Sequence, residues 1–121
     1  MTRRGPILIV DDDVDMRDAL SMVLEDEGYE VVLAEDGRDA LDKLEAGLEP
    51  RLILLDLMMP RMDGTAFCAE RRGDPRLAAL PVVLLTADRS AGARASALGV
   101  DRVLFKPVDL TDLIDLVASY L

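Results

Sequence analysis

Five short apolar runs alternate with polar segments along the chain, and this alternation constrains the fold more than any other feature of the sequence. Several runs are apolar at successive positions, which is typical of strands in a parallel sheet that is covered on both faces. The segments between them carry apolar residues at helical spacing. The pattern predicts an α/β fold, a doubly wound parallel sheet of five strands with helices on both faces and right-handed crossovers. The runs are ILIV (7–10), VVLA (31–34), LILL (52–55), VVLL (82–85) and VLF (103–105).

Three of the intervening segments have residues that fit helix ends as well as one apolar face. We expect the first helix to end near Gly28 and the second near Gly47, because glycine is common just after a helix C-terminus. Asp109 is well placed as the N-cap of the last helix. The apolar faces consist of Met16, Leu20, Val23 and Leu24, then Ala40, Leu41 and Leu44, and finally Leu110, Leu113, Ile114, Val117 and Leu121.

Length, charge and cysteine usage limit the class of protein. A chain of 121 residues fits one domain with one core. The net charge of −10 argues against direct binding of nucleic acid, which relies on clustered Lys and Arg. The single cysteine, Cys68, excludes an internal disulfide and suits a reducing compartment. We see no signal peptide and no run of the ~20 apolar residues that a membrane span needs, so we expect a cytoplasmic protein.

Charged and hydroxyl side chains follow the predicted strands. In doubly wound folds the working site lies at the carboxyl ends of the strands, near the point where the strand order reverses. The side chains at those ends are therefore candidates for one shared site. They are Asp11, Asp12 and Asp13 after the first run, Glu35 and Asp36 after the second, Asp56 after the third, Thr86 after the fourth and Lys106 after the fifth.

The acids after the first and third strands point to a bound cation. Two unit charges ~4 Å apart repel by roughly 4 kcal/mol at an effective dielectric of 20. Asp11, Asp12 and Asp56 would therefore need a proton or a cation to lie together. Mg²⁺ suits carboxylate and phosphate oxygens. A simpler reading of the Asp run is a solvated helix start with Asp13 as N-cap.

Thr86 and Lys106 extend the set toward phosphoryl chemistry. The chain has twelve Arg and two Lys, so a lysine at a strand end suggests a site that needs a compact point charge. Chance would also place one there, and β-propensity alone explains many strand threonines. A carboxylate nucleophile, a divalent cation, a hydroxyl and an ammonium are the groups that phosphoryl transfer requires.

Over essentially its full length, the chain resembles the receiver domain of bacterial two-component response regulators. The resemblance implies a flavodoxin-like (βα)5 fold, with residues 1–121 as a single receiver domain and no effector domain in this chain. It also implies a signalling phosphoprotein, not an enzyme, apart from self-catalysed phosphorylation and dephosphorylation. The segments that carry it are ILIVDDD (7–13), AEDGRDAL (34–41), LLDLMMPRMDG (54–64), LLTA (84–87) and LFKP (104–107).

The resemblance also implies a role for each candidate residue. Asp56 would accept a phosphoryl group from a histidine kinase or a histidine phosphotransfer protein. Thr86 and Lys106 would contact the phosphoryl oxygens. The implied Mg²⁺ ligands are Asp11, Asp12, Asp56 and the backbone carbonyl of Met58.

In the family, the signal leaves through the fourth helix, the fifth strand and the fifth helix, toward a downstream protein effector. The implied switch residues here are Thr86 and Val103, but Val103 stands where the family commonly has an aromatic, so an aromatic toggle is in doubt. The last helix carries acids and no arginine, which weakens the case for a charge-paired dimer. A phosphorylation-dependent homodimer stays open.

Two other functions use the same residues. A phosphohydrolase similar to the haloacid dehalogenases would have Asp11 as nucleophile and Asp13 as acid/base. Against it, Asp15 stands where that family has Thr or Val, and no acidic pair follows a later strand. The second alternative is a receiver-like interaction module that is never phosphorylated, although such modules usually lack one of the site residues that are all present here.

Two expectations concern regions away from the site. The fourth helix, within residues 89–99, should be mobile, because SAGARASAL offers one large apolar anchor, Leu98, and Gly92 costs ~1 kcal/mol relative to Ala. Arg71, Arg72 and Arg76 should form a solvated surface cluster, since no aromatic residues interleave with them.

Overall fold

A computed structural model of the protein describes residues 5–59 and 62–121. The elements in chain order are β1 (Ile7–Val10), α1 (Val14–Asp26), β2 (Val31–Ala34), α2 (Gly37–Glu45), β3 (Leu52–Asp56), α3 (Gly64–Arg72), α4 (Pro75–Ala78), β4 (Val82–Thr86), α5 (Ala91–Leu98), β5 (Arg102–Phe105) and α6 (Leu110–Tyr120). The strands form one sheet in the order β2-β1-β3-β4-β5, and all neighbours are parallel. The predicted doubly wound α/β fold is confirmed.

The five apolar runs are the five strands, with small changes at three ends. β3 extends to Asp56 and β4 to Thr86, one residue beyond each predicted run, and β5 begins one residue early at Arg102. Asp56 lies opposite Leu85 in the β3–β4 register. Asp56 and Thr86, both candidate site residues, are therefore the last residues of their strands, and the sheet fixes their backbones.

Alternate side chains of each strand enter two separate cores. Ile7, Ile9, Leu52 and Leu54 pack with α1 and α6 on one face of the sheet. Their neighbours along the same strands pack with α2, α3, α4 and α5 on the other face. Full burial of one such aliphatic side chain stabilises the fold by about 1.5–3 kcal/mol. The two layers therefore share every strand.

Aspartates cap most of the helices. The carboxylates of Asp13, Asp36, Asp63 and Asp109 accept backbone N–H groups at the starts of α1, α2, α3 and α6, which satisfies donors that a helix leaves unpaired. The predicted cap at Asp109 is confirmed. Asp36, considered above as a site residue, instead has its Oδ1 2.8 Å from the backbone nitrogen of Asp39.

Glycines follow α1 and α2 as expected. Gly28 and Gly47 have φ angles of 91° and 113°, in the left-handed region that glycine adopts without strain. The apolar face of α6 differs from the expectation at two positions. Leu110, at the start of the helix, is 47% exposed, and Leu116 is buried in addition to Leu113 and Val117. None of the helices in the described residues is long and apolar enough to span a bilayer.

The short helix α4 was not expected, and it changes the environment of Arg71. The predicted fourth and fifth helices are consequently α5 and α6. Arg71 is 4% exposed, and its guanidinium donates to the backbone carbonyls of Ala78, Leu80 and Gly99. The prediction that Arg71 lies on the solvated surface was therefore wrong. The C-terminal ends of α4 and α5 leave backbone carbonyls without helical partners, and the Arg71 guanidinium donates to them.

The neighbouring arginines also bind helix ends. Arg72 is exposed, and its Nη1 donates to the carbonyl of Ala97 in the last turn of α5. Arg76 donates to the carbonyl of Leu44 at the end of α2, with an Nη2–O distance of 3.2 Å. Together with Arg71, these side chains connect the C-terminal ends of two helices to the α3–α4 segment.

Candidate functional site

Three carboxylates meet where the strand order reverses. β1 and β3 are neighbours, but the chain leaves them toward opposite edges of the sheet, which is where doubly wound folds form a crevice. Asp56 and Asp11 lie at this point and are 6% and 1% exposed, whereas Asp12 is exposed. One oxygen from each of the three carboxylates lies within 4.8 Å of the others. The structure thus brings together the acids that the sequence predicted.

Lys106 lies against two of these acids. Its Nζ is 3.3 Å from Oδ2 of Asp11 and 3.5 Å from Oδ1 of Asp56. Its backbone N–H donates to the carbonyl of Thr86 at 2.8 Å, which fixes the start of the turn after β5 relative to the end of β4. The ammonium is therefore held above the acid at the end of the central strand.

The environment of Asp56 opposes its charge. Burial raises the pKa of Asp56 to about 6, and the nearby Asp11 carboxylate adds to this rise. Lys106 and the Met58 N–H, 3.4 Å from Oδ1, lower the pKa and offset part of it. The positive charge around an ionised Asp56 is therefore too small to offset its burial and the repulsion from Asp11. The donor set of three clustered carboxylates fits a hard divalent cation, which prefers oxygen ligands.

Thr86 is buried at the end of β4, close to the carboxylates in the sheet order. Its Oγ1 accepts the backbone N–H of Asp88 at 3.0 Å. Asp88 in turn accepts from Ser90 and forms an ion pair with Arg94 at 2.8 Å. The Thr86 hydroxyl is therefore connected to the first turns of α5 by a short series of polar contacts.

An aromatic residue lies beside this connection, but not at the position considered in the sequence. Val103 is partly buried and packs against the core beneath α2, α3 and α5. Phe105 is the register neighbour of Thr86, and the Arg89 guanidinium lies 4.8 Å from the centre of its ring. Phe105 was not predicted from the sequence, because only Val103, the position where the family commonly has an aromatic, was considered; yet Phe105 is the only aromatic residue in the last apolar run.

Two glycines hold the segment after Asp56 close to the sheet. A Cβ on Gly64 would lie 2.9 Å from the Asp56 carbonyl oxygen and from Cα of Leu57, and the Gly64 N–H donates to the Leu57 carbonyl at 2.9 Å. A Cβ on Gly37 would lie 2.8 Å from the Met62 carbonyl oxygen. Close backbone approach therefore explains the glycine in each of the AEDG and RMDG sequences.

Met58 follows Asp56 by two residues and is 70% exposed. Its backbone N–H contacts the Asp56 carboxylate, while the role of its carbonyl as a cation ligand stays a prediction. Pro60 and Arg61 of the same sequence segment lie outside the described residues.

Asp13 lies apart from the carboxylate cluster. Its Oδ1 accepts the N–H groups of Asp15 and Met16, and the side chain is exposed. An acid/base residue of a phosphohydrolase would have to face the nucleophile, so this geometry disfavours Asp13 in that role. Arg17 was not predicted as part of this region either, and its Nη1 donates to the Asp11 carbonyl at 2.8 Å.

Comparisons with known proteins agree with the fold. Residues 7–118 match the family model described as the response regulator receiver domain. The chain is 45% identical over 112 residues to the response regulator MprA of Mycolicibacterium vanbaalenii, an alignment that covers 89% of this chain and 46% of MprA. It is 44% identical over 119 residues to a 14.6 kDa protein from the sodA1 3′ region of Leptolyngbya boryana, covering 94% of this chain and 88% of that protein.

A solved structure gives the same result. The chemotaxis protein CheY4 of Vibrio cholerae superposes with a TM-score of 0.88 at 30% sequence identity, and the match covers 98% of this chain and all of CheY4. The chain spans just under half the length of MprA. Sequence, fold and site together show that the chain belongs to the family of response regulator receiver domains of two-component signalling.

Proposed function

We propose that Asp56 is the phosphoacceptor and that the phosphoryl group comes from a histidine kinase or a histidine phosphotransfer protein. One observation carries this proposal: a buried carboxylate at the end of the central strand lies beside two further acids and 3.5 Å from a lysine ammonium. This is the arrangement that phosphoryl transfer to a carboxylate needs, because the nucleophile, a cation site and a positive side chain converge.

In the transfer step, one Asp56 oxygen attacks phosphorus while the P–N bond to the donor imidazole breaks. The nitrogen keeps the electron pair of that bond, and the product is an acyl phosphate on Asp56. Lys106, already between Asp11 and Asp56, attracts the phosphoryl oxygens. The Thr86 hydroxyl accepts from Asp88 and keeps its own hydrogen to donate to one of those oxygens.

We infer that Asp11, Asp12, Asp56 and the Met58 carbonyl hold Mg²⁺. When bound, Mg²⁺ neutralises the carboxylates and supplies positive charge at the phosphoryl oxygens. The residues of this chain keep the site compact, because the β1 and β3 backbones place Asp11 and Asp56 at adjacent strand ends. Attack of water on the phosphoryl group would regenerate the free Asp56 carboxylate and release inorganic phosphate. The domain would therefore hydrolyse only the acyl phosphate on its own Asp56.

The output would pass from Thr86 and Lys106 to α5, β5 and α6. Phosphorylation adds about 1.5–2 negative charges, and the Thr86–Asp88 contact lies between the site and the first turn of α5. We propose a downstream protein effector that binds this face, with a phosphorylation-dependent homodimer as a further consequence. Within residues 1–121, the receiver would act as a single unit in the cytoplasm, without direct contact to nucleic acid.

Incubation with acetyl phosphate and magnesium tests the acceptor directly. Intact-mass measurement should show the gain of one phosphoryl group for the wild type and none for Asp56→Asn. Asp12→Asn should react much more slowly at the same magnesium concentration.

Borohydride trapping followed by peptide mapping locates the acyl phosphate. Label on Asp56 supports the proposal, whereas label on Asp11 would support the hydrolase alternative. An unchanged mass for the wild type, while another receiver domain gains a phosphoryl group in parallel, contradicts the proposal and leaves the unphosphorylated interaction module.

A further inference from the structure

Asp12, the exposed member of the carboxylate cluster, differs from the two buried members in its polar contacts. Among the described residues, the Asp12 carboxylate forms neither a hydrogen bond nor an ion pair, whereas Asp11 and Asp56 both contact Lys106. The position of the Asp12 carboxylate therefore depends on the backbone that carries it. The contacts that fix this backbone therefore determine whether Asp12 can join Asp11 and Asp56 as a cation ligand.

Three hydrogen bonds fix the peptide groups around Asp12. The Asp11 N–H donates to the Ala34 carbonyl of β2 at 3.2 Å, and the Asp13 N–H donates to Oδ1 of Asp11 at 2.9 Å. The third bond joins Nη1 of Arg17 to the Asp11 carbonyl oxygen at 2.8 Å. That carbonyl belongs to the peptide group between Asp11 and Asp12, so the bond sets the plane from which the Asp12 side chain extends.

The setting of Arg17 fits a dedicated contact of this kind. Its Nε is buried and has no hydrogen-bond partner within the described residues, and no carboxylate there forms an ion pair with it. In a chain of net charge −10, Arg17 donates to a neutral backbone oxygen, although Asp15 and Asp18 are near it in sequence. The guanidinium is thus held by packing and by the Asp11 carbonyl.

The contact is not needed to start α1. The Asp13 carboxylate already accepts the N–H groups of Asp15 and Met16 in the first turn, which is the usual capping arrangement. The Arg17 side chain takes no part in that cap, and its bond runs from the helix back to the residue that follows β1. Its effect therefore falls on the loop that carries the acids.

The geometry points to Arg17 as a positioning residue for the cation site, acting through the Asp11–Asp12 peptide on the Asp12 carboxylate. This inference rests on the proposed function, in which Asp12 is a Mg²⁺ ligand. Within the described part of the chain, the Arg17 side chain forms no hydrogen bond or ion pair with Asp56, and its bond to the Asp11 carbonyl is to a backbone oxygen outside the inferred ligand set. Its loss should therefore weaken magnesium binding without slowing transfer once magnesium saturates the site.

Calorimetric titration of magnesium chloride measures the first effect without any phosphodonor. We expect the Kd for magnesium to rise about tenfold in Arg17→Gln, the lower end of the effect typical for residues that orient metal ligands. Arg17→Lys keeps the charge but loses the planar fork, so it should also bind magnesium more weakly than the wild type.

Arg38→Gln is the matched control. Arg38 is exposed on α2 and pairs with Asp42 and Glu45, and its replacement changes the net charge by the same amount. Its magnesium Kd should equal that of the wild type. Thermal unfolding in EDTA shows which variants are folded, and Arg17→Lys decides the question if Arg17→Gln is not.

Rates of phosphorylation by acetyl phosphate over a magnesium series give the second readout. In Arg17→Gln, the half-saturating magnesium concentration should rise by the same factor as the Kd, while the plateau rate stays that of the wild type. A wild-type Kd in folded Arg17→Gln, wild-type binding by Arg17→Lys, or a lowered plateau with an unchanged half-saturation point would each overturn the inference. Absence of magnesium binding by the wild type would instead overturn the proposed function.

Discussion

At the scale of single residues, Asp56 combines a structural cost with a functional position. Its pKa is raised from 3.8 to about 6, first by burial and then by Asp11. A raised folded-state pKa means that the folded protein binds this proton more tightly than the unfolded chain. The resulting stability is present below pH 3.8 and is lost as the pH rises through about 6. At pH 7, metal-free protein therefore carries an unfavourable charge at Asp56, the proposed phosphoacceptor.

Asp56→Asn should remove this pH-dependent cost. We expect the variant to be more stable than the wild type by about 3 kcal/mol at pH 7 in EDTA, from 1.36 kcal/mol per pKa unit. Near pH 4, where Asp56 in the folded protein is largely protonated, the difference should shrink toward zero. Urea unfolding of both proteins at the two pH values measures this. An equal difference at both pH values would show that the charge of Asp56 is not the cause.

At the scale of elements, α5 is held differently at its two ends. Arg71 and Arg72 from α3 donate to the carbonyls of Gly99 and Ala97 at its C-terminal end. At its other end, Ser90 forms no side-chain capping bond to the helix, and the Arg89–Phe105 stack and the Asp88 contacts lie outside the helical hydrogen bonds. The structure thus refines the expectation of a mobile helix: the N-terminal half should be the mobile part.

Amide hydrogen exchange should reveal this asymmetry in the unphosphorylated protein. We expect residues 89–94 to exchange faster than residues 95–99, because Arg71 and Arg72 contact only the second group, whereas the ion pair of Arg94 with Asp88 in the first group is exposed to solvent. Arg72→Ala should speed exchange at 95–99 and leave 89–94 unchanged. Arg76→Ala, which removes a contact to α2 instead, is the control. Equal exchange along the whole helix in the wild type would contradict this view.

The same elements show what sequence patterns can predict. Strands, most helix faces and the Asp109 cap follow from local apolar spacing and capping preferences, and the acids at the ends of β1 and β3 follow from the strand order. Arg71 could not be placed, because its acceptor at Gly99 is 28 residues away and belongs to a helix end that only the folded chain brings near. Arg17 is closer to its acceptor, but only the turn geometry after β1 directs it there.

At the scale of the whole molecule, magnesium binding should appear as stability. A ligand that binds only the folded state stabilises it by RT ln(1 + [L]/Kd), about 2.7 kcal/mol at one hundred times Kd. Thermal unfolding at pH 7 should therefore shift upward with magnesium chloride in the wild type. Asp12→Asn should lose most of the shift.

Ionic strength must be matched in that experiment. With a net charge of −10, any salt screens repulsion within the molecule. Sodium chloride of equal ionic strength should raise the unfolding temperature of the wild type and of Asp12→Asn by the same amount. If the magnesium shift in the wild type is no larger than this salt shift, magnesium does not bind at the carboxylate cluster.

The central position of β3 has one more consequence. Leu54 and Leu55, the two residues that precede Asp56, pack into opposite cores. β1 and β4 flank the strand on either side. The C-terminal end of β3 therefore lies between the two layers of helices. If Asp56 carries the proposed phosphoryl group, the added charge would act on α1 and α6 at one face of the sheet and on α2 to α5 at the other.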